Sequence, residues 1–310
     1  MILTVTPNAS IDTLYLLDEL APHTVMRVRQ VIHTAGGKGL NVSRIAALAG
    51  EPVLAMGFAG GFKGRQLEAL LRHSPGIQPA FTRTRAETRS CINVWEVDKG
   101  LSTEFLEPGQ LVRQAEIARF FKDFERHLPQ ASCVTLSGSL PPGLHRGCYA
   151  DLIRLCRAAG VPVLLDSSGA ALQEGLAARP TLIKPNLAEL EQLLGQSVRG
   201  EARLHAAALG LHRQGIACVV VSLGAEGALM VCGEGSFMAV PPPIKPVNTV
   251  SCGDSMVGGF AVGFARGWTM ADSLRYAVAV SAANALTLRN GSYEASDLAR
   301  LSGQVRLKRV

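Results

Sequence analysis

Short β-branched runs alternate with helix-forming stretches along most of this chain. Ile2–Thr6, Val53–Phe58, Ser132–Leu136, Val161–Asp166, Thr181–Ile183 and Ala217–Ser222 read as buried strands. Asn41–Ala49, Gly64–Arg72, Ala115–His127, Gly147–Ala159, Leu187–Leu194, Glu201–Gln214, Asp254–Ala265 and Ala271–Leu288 read as helices. Strands that are apolar throughout have no face to show to water. The alternation therefore predicts an α/β fold: a doubly wound, mostly parallel sheet with helices on both faces. Two stretches, Ile11–Ala35 and Arg85–Leu106, break the rhythm. They are more polar and strand-like, and Cys91–Val97 nearly alternates, as an antiparallel strand with one wetter face does. They are expected to form a small discontinuous β-sheet against the main body. With no internal repeat or low-complexity linker, the 310 residues are expected to be a single domain.

Composition narrows the function classes. With 47% apolar and 18% charged residues the chain can bury a core, which excludes disorder. The net charge of +6 permits an anionic ligand, but Lys and Arg are spread along the chain. The densest basic patch, Arg306-Leu-Lys-Arg309, is too short for a nucleic-acid arm and is read as a solvated C-terminus. No apolar run reaches the ~18 residues of a membrane helix, and Met1–Val5 reads as a first strand without a basic n-region. The seven cysteines are odd in number and include no C-x-x-C, as expected of reduced structural thiols in a cytoplasmic protein. The seven histidines are scattered, which argues against a zinc site.

Candidate chemistry gathers at the ends of predicted strands, where open α/β sheets bind ligands. In Asn248-Thr-Val-Ser-Cys-Gly-Asp254-Ser-Met-Val-Gly-Gly-Phe260, small residues and an acid precede a helix. Free N–H groups at a helix start favour a phosphate, and Asp254 is placed to take a proton from an attacking hydroxyl. Asp is equally a common N-cap, and small residues are common in turns. Ala35-Gly-Gly-Lys-Gly-Leu-Asn41 enters a helix with glycines that admit a ligand, but Gly39 after Lys38 excludes a Walker A loop. Lys184-Pro-Asn-Leu-Ala-Glu189 is both a capping pair and a candidate site, with Asn186 toward phosphates and Glu189 toward a metal-bound water. Ser222-Leu-Gly-Ala-Glu-Gly227 suits a nucleotide or a tight hairpin. Thr6-Pro-Asn-Ala-Ser-Ile-Asp12 and Ser137-Gly-Ser-Leu-Pro-Pro142 also follow strands, and Arg89 is placed to fork onto a phosphate.

In this order, the motifs resemble the ribokinase-like family in its phosphofructokinase-B branch, from Asp12 to about Leu288. Within the branch, Met1–Asn8, Thr34–Val42, Gly50–Ala55 and Glu87–Ile92 look most like tagatose-6-phosphate kinases, with 1-phosphofructokinases closely similar. The resemblance implies ATP and Mg²⁺, with Asp254 as general base and the backbone N–H groups of Ser251, Cys252 and Gly253 as an anion hole. It implies sugar contacts from Asp12, Gly37 and Asn41, and a grip on the substrate's phosphate by Lys38, Arg89 and Arg27, with Ser139 nearby. Lys184, Asn186 and Glu189 would face the ATP phosphates and, through water, Mg²⁺. Ser222, Gly224 and Gly227 would line the nucleotide pocket, with Asn284 bordering the adenine. It also implies a lid, from about 11–35 and 85–106, that closes over the sugar and pairs two subunits into a homodimer. One departure stands out. The family usually has Gly-Ala or Gly-Ser before the glycine at 253, where this chain has Ser251 and Cys252, and a positive φ at 251 would strain serine.

The expected activity is phosphorylation of a phosphorylated ketohexose, tagatose 6-phosphate to tagatose 1,6-bisphosphate. The alternatives are fructose 1-phosphate and, behind it, fructose 6-phosphate. A non-catalytic sensor of sugar phosphate or nucleotide is the reading from another class, and Asp254, Asn186 and Glu189 together argue against it. A nicotinamide dehydrogenase is excluded because the first strand leads into Pro7-Asn-Ala-Ser and not a G-x-G-x-x-G turn.

Overall fold

The computed structural model describes residues 1–310. Its centre is β1 (Ile2–Thr6), buried at every residue and paired in parallel with β4 (Val53–Gly60) on one side and β8 (Cys133–Ser137) on the other. The parallel series continues from β4 to β5 (Ile77–Thr84), and from β8 through β9 (Val163–Asp166) and β10 (Leu182–Ile183) to β11 (Cys218–Ser222). Three antiparallel strands then extend the sheet to ten: β12 (Ala228–Cys232), β13 (Gly235–Val240) and β14 (Arg306–Arg309). The basic C-terminal run is thus an edge strand and not a solvated tail. Its backbone pairs with β13 while Arg306, Lys308 and Arg309 stay exposed, and charge on an edge discourages further strand addition.

Alternate β1 residues enter different cores, because side chains along a strand alternate faces. Leu3 and Val5 pack with Phe120 and Phe124 of α3 (Gln114–His127), Leu152 and Ile153 of α4 (Cys148–Ala158) and Leu204 and Leu211 of α7 (Glu201–Arg213). Ile2 packs into the opposite core with Leu40 and Val42 of α1 (Lys38–Leu48) and Leu67 and Leu71 of α2 (Gly61–Arg72). Val257 and Phe260 of α8 (Cys252–Arg266) and Leu274 and Val278 of α9 (Met270–Asn284) complete that face. The sheet is therefore covered on both sides, as the alternation predicts. The remaining helices are α5 (Gly169–Ala177), α6 (Leu187–Leu194) and α10 (Ala295–Ser302). None of the ten is long and apolar enough to cross a membrane.

Glycines let α8 pack closely on two neighbours. A Cβ at Gly258 would lie 2.6 Å from Ile45 Cγ2 of α1, and one at Gly259 would lie 2.6 Å from Ala277 Cα of α9. The expected helix over 271–288 ends at Asn284. Beyond it the chain turns, with Leu286 and Thr287 N–H groups bonding back three residues and the Thr287 hydroxyl bonded to the carbonyls of Asn284 and Arg289.

The two segments that break the α/β rhythm hold a separate four-stranded sheet, in the order β3 (Gln30–Gly36), β2 (Ser10–Leu17), β6 (Arg89–Glu96), β7 (Leu101–Leu106). The β2–β6 pair is parallel and the outer pairs are antiparallel. Because β2 follows β1 directly and β3 runs into α1, the small sheet stands over the C-terminal ends of the large sheet's strands.

Candidate active site

Two cavities open at those strand ends. One, of about 410 Å³, lies under the small sheet and includes Asp12, Gly37, Asn41, Arg89 and Ser139. The other, of about 750 Å³, includes Lys184, Asn186, Glu189, Ser222, Gly224, Gly227, Cys252 and Gly253. Lys38, Ser251 and Asp254 line both. The motif residues scattered over 250 positions of sequence are thus brought to two chambers that meet at one carboxylate.

Asp254 sits in the first turn of α8 and is 7% exposed. Its Oδ2 accepts from Asn41 Nδ2 at 2.7 Å. Burial, and next the nearby Asp166 carboxylate, push its pKa up to about 6, against the pull of Lys38, Asn41 and Lys184. A carboxylate titrating there is a far stronger base than an ordinary one and is still mostly ionised near neutrality.

Asp166, at the C-terminal end of β9, is the principal site residue that the motifs did not single out. It is 1% exposed, with Lys38 Nζ and Lys184 Nζ each 3.6 Å from Oδ1. Burial opposes its charge, but the two ammonium groups outweigh burial and hold the carboxyl below its usual range. The same carboxylate raises Lys38. Arg44 was also missed. It lies half-buried beneath the smaller cavity and donates to Ala35 O, Asn290 O and Asn41 Oδ1. Asp12 is anchored by a 2.6 Å bond from the Ser10 hydroxyl, and burial raises its carboxyl against the pull of Ser10, Arg44 and Arg89. Glu104 on β7 adds a third carboxylate to this cavity.

The turn into α8 has the backbone that makes serine unusual there. Ser251 adopts φ 65°, ψ 5°, the left-handed region. Hydrogen bonds offset the strain: its hydroxyl donates to Asn284 Oδ1 at 3.3 Å and accepts from Gly291 N at 2.9 Å. Of the three N–H groups expected to form an anion hole, those of Ser251 and Gly253 have no protein partner, while that of Cys252 makes a long 3.4 Å bond to Thr249 O. A Cβ at Gly253 would lie 3.2 Å from Lys184 Nζ, so glycine lets that ammonium come close.

Two expected site residues lie elsewhere. Asn284 lines neither cavity; it is 1% exposed and its amide donates to Val250 O, bracing the turn from behind. On α9 the cavity wall comes instead from Val278, Ser281 and Ala282, which a helix turns to a different face. Arg27 is exposed on the loop between β2 and β3 and lines neither cavity of its own chain. Arg89 does line the smaller cavity, with Nε on Asn8 O and Nη1 on Glu107 O. The exposed Arg289, from the turn after α9, is a further cation there.

Asn186 and Glu189 form the expected capping pair and also line the larger cavity. Asn186 Oδ1 accepts from Glu189 N at 2.8 Å and Glu189 Oε2 accepts from Asn186 N at 2.9 Å, a reciprocal cap on α6, and both residues face the larger cavity. The segment 222–227 is likewise both a tight β11–β12 hairpin and a cavity wall. Near these residues both Asp166 oxygens are buried without a hydrogen-bond partner. One or two carboxylates beside phosphate oxygens suit Mg²⁺, which keeps most of its ligands as water and substrate. The donor set fits that ion.

The model of the pfkB family of carbohydrate kinases matches residues 6–293. This chain belongs to that family. Phosphofructokinase-2 from Escherichia coli, solved with substrates and products, is similar at 30% identity over 97% of this chain and 98% of the other, with a TM-score of 0.90. A possible 1-phosphofructokinase from Thermotoga maritima superposes with a TM-score of 0.88 at 24% identity, covering 100% of this chain and 99% of that one. Arabidopsis thaliana ribokinase, complexed with ribose and ATP, shares the fold at 20% identity, with a TM-score of 0.77 over 97% and 98% of the two chains. As a pfkB carbohydrate kinase, the protein is an ATP-dependent sugar kinase of ribokinase-like fold.

Proposed function

We propose that this pfkB kinase transfers the γ-phosphoryl of ATP to a ketohexose phosphate, with tagatose 6-phosphate to tagatose 1,6-bisphosphate as the first assignment. The observation that carries the reading is the junction of the two cavities at Asp254 and Lys38. A sugar in the smaller cavity and a nucleotide in the larger one would present hydroxyl and γ-phosphoryl to each other there. Asp254 accepts the hydroxyl proton as the oxygen attacks in line. The free N–H groups at the start of α8, with Lys38 and Lys184, receive the charge that spreads over the phosphoryl oxygens. Asp12, Gly37 and Asn41 hold the sugar hydroxyls, while Asn186, Ser222, Gly224 and Gly227 hold ATP. Asp166 and, through water, Glu189 would hold Mg²⁺, which when bound neutralises phosphate charge.

A substrate that already carries phosphate is supported by Lys38, Arg89 and Arg289 along the sugar-side cavity, cations an uncharged sugar would not require. The small sheet acts as the lid that excludes water. Exposed Val25 on its β2–β3 loop and Phe105 and Leu106 on β7, at 89%, 55% and 63%, support a homodimer formed through it. The second reading rests on the neighbours. Phosphofructokinase-2 was solved in complex with fructose-6-phosphate, and the Thermotoga chain is described as a possible 1-phosphofructokinase. ADP formation with tagatose 6-phosphate, fructose 6-phosphate, fructose 1-phosphate and the free sugars tests both. Turnover of tagatose 6-phosphate with the highest kcat/KM is expected. A higher value for either fructose phosphate moves the assignment to that sugar, and no turnover of any phosphosugar refutes the proposal.

A further inference from the structure

Arg44 is a half-buried cation at the site with no carboxylate of its own, and the phosphoryl transfer described above gives it no task. It lies on α1 three residues after Asn41, so the two side chains share a helix face. Its Nη1 donates to Ala35 O at 2.6 Å at the end of β3, and its Nε donates to Asn290 O at 3.2 Å in the turn after α9. Its Nη2 donates to Asn41 Oδ1. No carboxylate pairs with it directly.

The chemistry of these groups fixes an orientation. A guanidinium has donors only, so Asn41 can present only its oxygen to Arg44. The other end of that amide, Nδ2, must then face Asp254, where it donates to Oδ2 at 2.7 Å. Without Arg44 the amide oxygen loses its partner, and the side chain is free to swing its NH2 off the carboxylate. We infer that Arg44 is a positioning residue for phosphoryl transfer. Acting through Asn41, it fixes Asp254 with one oxygen occupied and the other left for the substrate hydroxyl. Its bonds to Ala35 and Asn290 tie this arrangement to the end of strand β3 in the small sheet and to the loop that walls the sugar-side cavity. Drawing a guanidinium even partly out of water costs more than placing a neutral donor against two carbonyls would, so a bracing role alone does not account for arginine here. The inference rests on the reading of Asp254 as base.

A double-mutant cycle on kcat tests it, using whichever phosphosugar the wild-type chain turns over. Arg44→Met is expected to lower kcat about 50-fold and Asn41→Ala about 100-fold, with KM for ATP within about threefold. Arg44→Lys, a donor of the same charge without the planar fork, restores part of the loss. The double variant is expected within about threefold of Asn41→Ala alone, because Arg44 has nothing left to orient. Losses that multiply, or an Arg44→Met enzyme within about threefold of wild type, overturn the inference. Where Arg44→Met gives no cooperative melt, Arg44→Lys replaces it in the cycle. It is then expected to cost about tenfold in the native background and under about twofold with Asn41→Ala, and equal losses in both overturn the inference. Asp254→Asn is measured alongside. If it abolishes turnover and the cycle multiplies, only the role of Arg44 is refuted; if it retains turnover, both readings are.

Discussion

Removing the Asn41 amide should move the acid limb of the kinase's pH–rate profile. Asp254 titrates near pH 6, chiefly because it is buried and lies near Asp166. At that value it is about nine-tenths ionised at pH 7 and about one-tenth at pH 5, so kcat/KM should fall about tenfold between them. An aspartate near its ordinary pKa of about 3.9 would lose under about 10% over the same range. The phosphate of a sugar phosphate also titrates near pH 6 and contributes to that limb, so the limb alone does not identify the base. Its displacement does. The 2.7 Å bond from Asn41 favours the charged carboxylate, and a hydrogen bond to a charged group is worth about 1.5–3 kcal/mol, or one to two pH units. Asn41→Ala should therefore shift the limb upward by about one unit, while the substrate's own titration stays where it was. ADP quantified by chromatography between pH 5 and 8, with circular dichroism at each pH, provides the measurement. Asp254→Asn should lower kcat about 10³-fold. The same limb in Asn41→Ala and native enzyme, or more than about 5% of turnover left in Asp254→Asn, would refute the assignment of the base.

Asp166→Asn removes the anion between two lysines. KM for ATP should rise about tenfold, the Mg²⁺ titration of activity should move to higher concentration, and the acid limb should move to lower pH because a charge that raises Asp254 is gone. Ser251→Gly exchanges strain for two lost hydrogen bonds and should change stability by no more than about 1 kcal/mol in urea melts. Ser251→Ala keeps the strain, loses the bonds and should cost about 1–2 kcal/mol. Gly258→Ala forces a methyl against Ile45 and should cost about 1–3 kcal/mol, part of which Ile45→Val recovers; an unchanged melt would contradict the close packing of α1 on α8. Light scattering should find a dimer that Phe105→Glu converts to monomer, and an unchanged mass would remove the small sheet from the interface.

What could be read from the sequence was what short segments encode. Strand-end loops such as 35–41 and 248–254 carry their glycines, acid and helix starts contiguously, and the structure brings both to the same junction. Buried parallel strands were legible for the same reason, since each is a continuous apolar run. The antiparallel extension was not, because β14 is charged and owes its conformation to β13 beside it. Asp166 looked like the end of a strand, although an acid at the C-terminal end of a parallel strand is itself a signal in such sheets. Arg44 lies inside a helix and belongs to none of the motifs; its spacing from Asn41 was the available clue, but the acceptors that hold it include residues 35 and 290. Asn284 was placed on the correct helix and the wrong face, since its role depends on a turn 34 residues upstream.

Lys38, Ser251 and Asp254 belong to the walls of both cavities, and this bears on how the two ligands find the enzyme. A ligand that engages Lys38 alters the charge its counterpart meets on arrival, so the two occupancies are coupled. Coupling of binding free energies is reciprocal: by whatever factor the nucleotide changes the affinity for the sugar phosphate, the sugar phosphate changes the affinity for the nucleotide by that same factor. Calorimetric titration of each ligand in the presence and absence of the other, with a non-hydrolysable nucleotide, would measure one number twice. Its sign would say whether the shared lysine makes the partners recruit or exclude each other.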